Sequence, residues 1–147
     1  MIERKCSCEM GMHHAPLEKY IIESGAVNRL PELLRDYNKV YMVCDENTYR
    51  VLGERAEQIL KSVGKFSHKH ILKGDVLPDA RNIGDVLIHL NDPKADSDIF
   101  KYSPLPDFIL AVGSGVVNDV CRVVSYRLGL PYGIAGTAPS MDGYASA

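Results

Sequence analysis

Apolar positions along the chain come in short blocks that alternate between two spacings. Near-continuous runs in KVYMVC (Lys39 to Cys44) and DFILAV (Asp107 to Val112), and an alternating run in FSHKHIL (Phe66 to Leu72), predict strands. DFILAV is apolar enough to be covered on both faces of a parallel sheet. KYIIESGAV (Lys19 to Val27) joins a β-branched run to Ser24 and Gly25 and predicts a short strand ending in a turn, and PYGIAG (Pro131 to Gly136) predicts one more strand.

Between these blocks the spacing turns helical. NRLPELLRDY (Asn28 to Tyr37) has Leu30, Leu33 and Leu34 on one face and Pro31 in the first turn, and GERAEQILKSVG (Gly53 to Gly64) predicts a helix stopped by Gly64. DARNIGDVLIHLND (Asp79 to Asp92) puts Ile83, Val86, Leu87 and Leu90 on one stripe before Pro93. Beyond DFILAV, Val116, Val120, Val123, Val124 and Leu128 share one side of a further helix, with Gly129 as its stop and Pro131 following. Strands alternating with helices give an α/β fold with a largely parallel sheet. The polar, proline-rich stretch from Asp92 to Asp107 reads as a connecting loop inside it.

Composition narrows the class. A chain of 147 residues holds one core, so a single domain is expected, with residues 1–16 as a flexible N-terminal segment. Seventeen Lys and Arg against nineteen Asp and Glu leave a net charge of −2, which argues against a nucleic-acid partner. No apolar run approaches membrane-spanning length, and MIERKCSCEM lacks the apolar stretch of a leader. Four cysteines then read as reduced thiols in a cytoplasmic protein, Cys44 and Cys121 as small buried hydrophobes.

The densest chemistry lies in GSGVVNDVCRVVSYRLGLPYGIAGTAPSMDGYASA (Gly113 to Ala147). Gly113-Ser114-Gly115 stands where a buried strand turns into a helix, a place where backbone N–H groups and the helix dipole can hold a diphosphate; a tight strand-to-helix turn uses the same glycines without any ligand. Asn118 occupies the third glycine position of a dinucleotide fingerprint, and no GKS or GKT follows. Asp119 suits the first helical turn as a dipole-favoured acid. Asp45, at the end of KVYMVC, could accept hydrogen bonds from ribose hydroxyls or begin the next helix. Thr137, Ser140, Ser146 and Asp142 supply hydroxyls and a carboxylate to one loop.

On these residues the chain resembles the iron-containing alcohol dehydrogenase and dehydroquinate synthase superfamily, and within it the NAD(P)-dependent sn-glycerol-1-phosphate dehydrogenases. GSGVVNDVCR is similar to the superfamily's glycine loop, with Ser114 for a glycine and Arg122 for a lysine. PYGIAGTAPSMDGYAS is similar to the hallmark of the glycerol-1-phosphate branch, TAPSMDG being its most specific part. The resemblance implies a Rossmann-like NAD(P)-binding domain over 17–147. It also implies interconversion of dihydroxyacetone phosphate and sn-glycerol 1-phosphate, with NAD or NADP carrying the hydride and a divalent metal (zinc, nickel or iron) polarising the carbonyl. Carried over, Gly113, Ser114, Gly115, Val116 and Val117 cradle the diphosphate. Thr137, Ala138, Pro139 and Ser140 line the cofactor with Ser146 near it, Asp45 contacts the adenosine end, and Asp142 touches the phosphorylated triol or ketone substrate. The family's metal ligands, an acid and two histidines on a helical domain, follow the position that matches Ala147. The chain alone is therefore expected to be inactive, and a homo-oligomer is expected. The alternatives are a non-catalytic nucleotide-binding or interaction module, or another superfamily activity such as glycerol dehydrogenase or dehydroquinate synthase.

Other donors are sparse in pattern. Cys6, Cys8, His13 and His14 crowd into CSCEMGMHH without zinc-finger spacing, so a flexible terminus is expected. His68 and His70 share a strand face, expected to be solvated for want of a third ligand, and His89 suits a helix C-terminus as a lone cation.

Overall fold

Strand β5 (Phe108–Gly113) is buried along its whole length, as its unbroken apolar run requires. In the computed structural model, which describes residues 2–5, 7, 12–15, 17–90 and 105–139, it sits inside a four-stranded sheet. The order is β4 (Phe66–Leu72), β3 (Val40–Asp45), β5 and β6 (Tyr132–Gly136), and every neighbouring pair is parallel. Ahead of the sheet, β1 (Ile2–Lys5) and β2 (Met12–Ala15) pair antiparallel, so the N-terminal segment carries a two-stranded ribbon where the sequence predicts no regular structure.

Both faces of the sheet are covered. Tyr41 and Val43 of β3 join Ile109, Ala111 and Leu72 beneath α4 (Ala80–Ile88) and α5 (Gly115–Leu128). Val40, Met42 and Cys44 point the other way, with Leu110 and Val112, against α1 (Leu30–Leu33) and α3 (Glu54–Ser62). A register shift between Val40 and Tyr41 lets Ser67 bulge out of β4, so that Phe66 faces the α3 side while Leu72, six residues on, faces the α4 side. Burial pushes the Cys44 thiol up to about 12 and raises Cys121 as well, as expected of inert buried sulfurs.

Three elements differ from the sequence reading. Lys19 to Val27 forms no strand: the segment reaches no sheet partner, Tyr20 and Ile22 are exposed, and Gly25 in the left-handed region (φ 78°) opens a 3-10 turn, Ala26–Arg29. The helix expected over Asn28 to Tyr37 shrinks to that turn and the four residues of α1, whose Leu30 and nearby Leu34 are buried. On α5 the buried stripe runs through Val117, Val120, Cys121 and Val124, whereas Val116 and Val123 are half-buried and Leu128 is exposed. The α3, α4, β4 and β6 assignments hold, with Gly64 and Gly129 left-handed at their helix ends. The connecting loop expected from Asp92 to Asp107 lies outside the described residues as far as residue 104.

Candidate nucleotide site at the carboxyl edge of the sheet

All four parallel strands point their carboxyl ends to one edge, where Asp45, Leu72, Gly113 and Gly136 finish β3, β4, β5 and β6. Ligands of open α/β sheets gather at that edge. Here the chain turns at Ser114 (φ −116°, ψ −151°) straight into the fourteen residues of α5. Ser114 takes the cap position with no helix N–H donating to its hydroxyl, and Asn118 N donates to its carbonyl at 3.0 Å. The first N–H groups of an α-helix have no partner inside the helix, and with the axial dipole they favour an anion.

Two glycine-bearing motifs meet at this turn. Gly113 and Gly136 are register partners, and Thr137 N donates to the Gly113 carbonyl at 2.9 Å. Thr137 and Ala138 are half-buried beside the loop and Pro139 is exposed, while Ser140, Asp142 and Ser146 lie outside the described residues. Gly113 itself packs beneath Val117, with no room for a side chain between strand and helix.

Asp45 stands one strand over, at the level of Gly113, since Cys44 pairs with Val112. Its Oδ1 accepts from Asn47 N and Thr48 N, both at 2.8 Å, and its own N–H donates to Thr48 Oγ1 at 3.0 Å. This reciprocal cap starts α2 (Glu46–Thr48), which runs through a π-helical turn, Tyr49–Gly53, into α3. The helix-starting reading of Asp45 is therefore realised, at the carboxyl edge of the sheet.

The other acid of the motif is engaged by its own helix. Arg122 Nη2 donates to Asp119 Oδ1 at 3.2 Å, one turn along α5. Just before Asp119, Asn118 at the third fingerprint position is fully buried, and neither its Oδ1 nor its Nδ2 has a hydrogen-bond partner among the described residues, a feature that spacing did not announce. Sequence reasoning missed a shallow recess of about 220 Å³ at the ends of β3 and β4, lined by Glu46, Tyr49, Arg50, Ile71 and Lys73. Lys73 follows β4 directly and Arg50 lies five residues past β3, so a cation just beyond a parallel strand was the available signal.

The histidines also depart from expectation. His68 and His70 are packed beneath α4 rather than solvated, and His70 has a carboxylate neighbour in Asp85. Cys6 and Cys8 lie outside the described residues.

A model of the iron-containing alcohol dehydrogenase family matches residues 21–147. The chain belongs to that family. It is 34% identical over 147 residues to glycerol-1-phosphate dehydrogenase [NAD(P)+] of Halalkalibacterium halodurans, covering 95% of this chain and 34% of that protein. Identity to the enzyme of the same name from Bacillus subtilis is 31%, covering 89% and 32%. The chain thus spans about a third of the length of these curated relatives. Among solved structures, glycerol dehydrogenase from Schizosaccharomyces pombe superposes with a TM-score of 0.63 at 16% identity, over 80% of this chain and 27% of that one, a likeness of fold. Among the described residues no helix is long and apolar enough to cross a membrane.

Proposed function

We propose that this chain is the nucleotide-binding part of an NAD(P)-dependent dehydrogenase that interconverts dihydroxyacetone phosphate and sn-glycerol 1-phosphate. The observation that carries the reading is the junction at Gly113, where the glycine turn and the GTAPS loop are tied by the Thr137 hydrogen bond at the open edge of the sheet. A diphosphate fits there because a bare glycine, Ser114 with its uncommitted cap position and the N-terminus of α5 present backbone donors without side-chain obstruction. Gly113, Ser114, Gly115, Val116 and Val117 cradle it; Thr137, Ala138, Pro139 and Ser140, with Ser146, line the nicotinamide side, and Asp45 meets the adenosine ribose. Asp142 contacts the substrate.

When bound, the nicotinamide supplies the hydride that reduces the ketone. The chain's own residues bind and orient it. Among the described residues no group of three metal-binding side chains stands at this edge. A homo-oligomer in the cytoplasm goes with this reading.

Titration of NADH and NADPH against the chain, followed by nicotinamide fluorescence, tests it. Saturable enhancement that Gly113→Val abolishes is expected. Absence of saturation, or equal binding by Gly113→Val with the fold retained by circular dichroism, overturns it.

A further inference from the structure

Two strands away from β5, at the outer edge of the sheet, three side chains that the nucleotide site does not use converge. His70 Nε2 lies 2.8 Å from Asp85 Oδ2, and His89 Nδ1 lies 3.3 Å from Asp85 Oδ1. One ring nitrogen of each histidine and a carboxylate oxygen of Asp85 all fall within 4.8 Å of one another. We propose that His70, Asp85 and His89 form a site for a divalent first-row transition ion of the zinc class, stitching α4 to β4, with water completing the coordination.

The donor set is chemically suited. Two neutral imidazoles and a carboxylate match ions of the zinc class, whose ligand distances of about 2.0–2.2 Å place neighbouring donor atoms about 3.3 Å apart in a tetrahedron. The separation of 2.8 Å between His70 Nε2 and Asp85 Oδ2 lies within a small side-chain adjustment of that spacing. The hydrogen bonds behind the donors are already in place. His89 Nδ1 also lies 2.8 Å from the Asp85 carbonyl, an oxygen that can only accept, so Nδ1 carries a proton and the lone pair resides on Nε2. His68 Nε2 donates to the His89 carbonyl at 2.9 Å, pinning the end of α4 to β4, and Ser67 Oγ meets the other ring nitrogen of His68 at 3.0 Å. The His70 and His89 rings stack with centroids 4.4 Å apart, which keeps the two side chains beside each other.

Position and charge agree with a cation. His89 caps the C-terminus of α4, the negative end of the helix dipole. Access is available, because Asp85 and His89 are 42% and 43% exposed while His70 is nearly buried. On binding, the neutral His70 ring carries its proton on Nδ1, and the ion takes the place of the proton between Nε2 and Asp85 Oδ2.

The site is tested with zinc and cobalt alone, on a chain carrying Cys6→Ser, Cys8→Ser, His13→Ala and His14→Ala so that the N-terminal donors do not compete. One equivalent of Zn2+ is expected by calorimetry, Co2+ should give visible d–d bands, and saturating zinc should raise the melting midpoint by roughly 5 °C. His89→Ala, at an exposed position, and Asp85→Asn, which keeps the shape, should each weaken binding at least about tenfold and remove the shift. Absence of zinc uptake at ion concentrations up to about a hundred times the protein's, or uptake unchanged in His89→Ala and Asp85→Asn, overturns the proposal.

Discussion

A Cβ built on Gly113 would stand 2.7 Å from the Cβ of Val117 and 2.8 Å from its Cγ2. No real pair of carbons tolerates that approach, so the strand-to-helix turn closes only because residue 113 has no side chain. Gly113→Ala is expected to cost about 1–3 kcal/mol in denaturant unfolding, through displacement of α5. It should also weaken NADH binding at least about tenfold, since the displaced helix carries the anion-facing N–H groups. Adding Val117→Ala relieves the clash. The double variant should regain part of the stability, which a cycle of urea melts would show; equal instability of single and double variants would contradict this account.

Substitution separates the capping role of Asp45 from the ribose contact proposed for it. As a cap it needs only an acceptor oxygen for Asn47 N and Thr48 N, which asparagine also supplies. Asp45→Asn should therefore leave the melting point within a degree or two, whereas Asp45→Ala should cost about 1 kcal/mol. A ribose diol bonded by the carboxylate responds differently, and NADH affinity should fall in both variants. Unchanged affinity in Asp45→Asn would leave the residue a cap alone.

The recess beside Asp45 makes a statement about cofactor choice. Arg50 and Lys73 line it together, and a 2′-phosphate is the part of NADPH that such a pair would meet. Arg50→Ala is expected to weaken NADPH binding about tenfold and NADH binding by less than about twofold. Parallel fluorescence titrations at fixed ionic strength measure the ratio, and equal losses for both cofactors would refute the assignment.

On α3, Glu57 is held by three donors: Lys61 Nζ at 2.5 Å, Lys69 Nζ at 2.6 Å and Tyr49 Oη at 2.8 Å. Burial alone raises its carboxyl, but the hydrogen bonds from Lys61, Lys69 and Tyr49 outweigh it and hold the group down to about 2. A depressed carboxylate contributes stability that is complete above its ordinary range and is lost as pH falls toward the folded value. Stability should thus decline between about pH 4.5 and pH 2. Glu57→Gln should cost about 1–3 kcal/mol at neutral pH and flatten that part of the profile. An unchanged slope in acid melts would show that Glu57 is not its source.

What was legible in the sequence was whatever repeats along the chain. The runs of β3 and β5, the alternation of β4 and the α4 stripe named the parallel sheet because burial imposes those periods. The glycine turn was legible for the same local reason, since strand, Gly113 and helix follow one another directly. What escaped depends on partners distant in sequence. Lys19 to Val27 has a strand's composition without a neighbouring strand, and Asp85 meets His70 only because α4 folds back over β4. The turn of the α5 stripe toward Val117 follows from the missing side chain at Gly113, a three-dimensional fit that spacing does not encode.

Asn118 sits on the first turn of α5 with its amide sealed from water and without a partner at either Oδ1 or Nδ2. An unpaired buried amide costs about 1–3 kcal/mol, more than the small cavity that Asn118→Ala would leave. The alanine variant should melt no lower than the parent, with a gain of up to about 1 kcal/mol. A costly unpaired polar group directly behind the Gly113–Gly115 turn is explained if the proposed diphosphate site uses it. NADH binding should therefore weaken in Asn118→Ala as the melting point holds or rises. A clear drop in melting temperature would show instead that the amide contributes to the fold, and unchanged affinity would detach it from the nucleotide site.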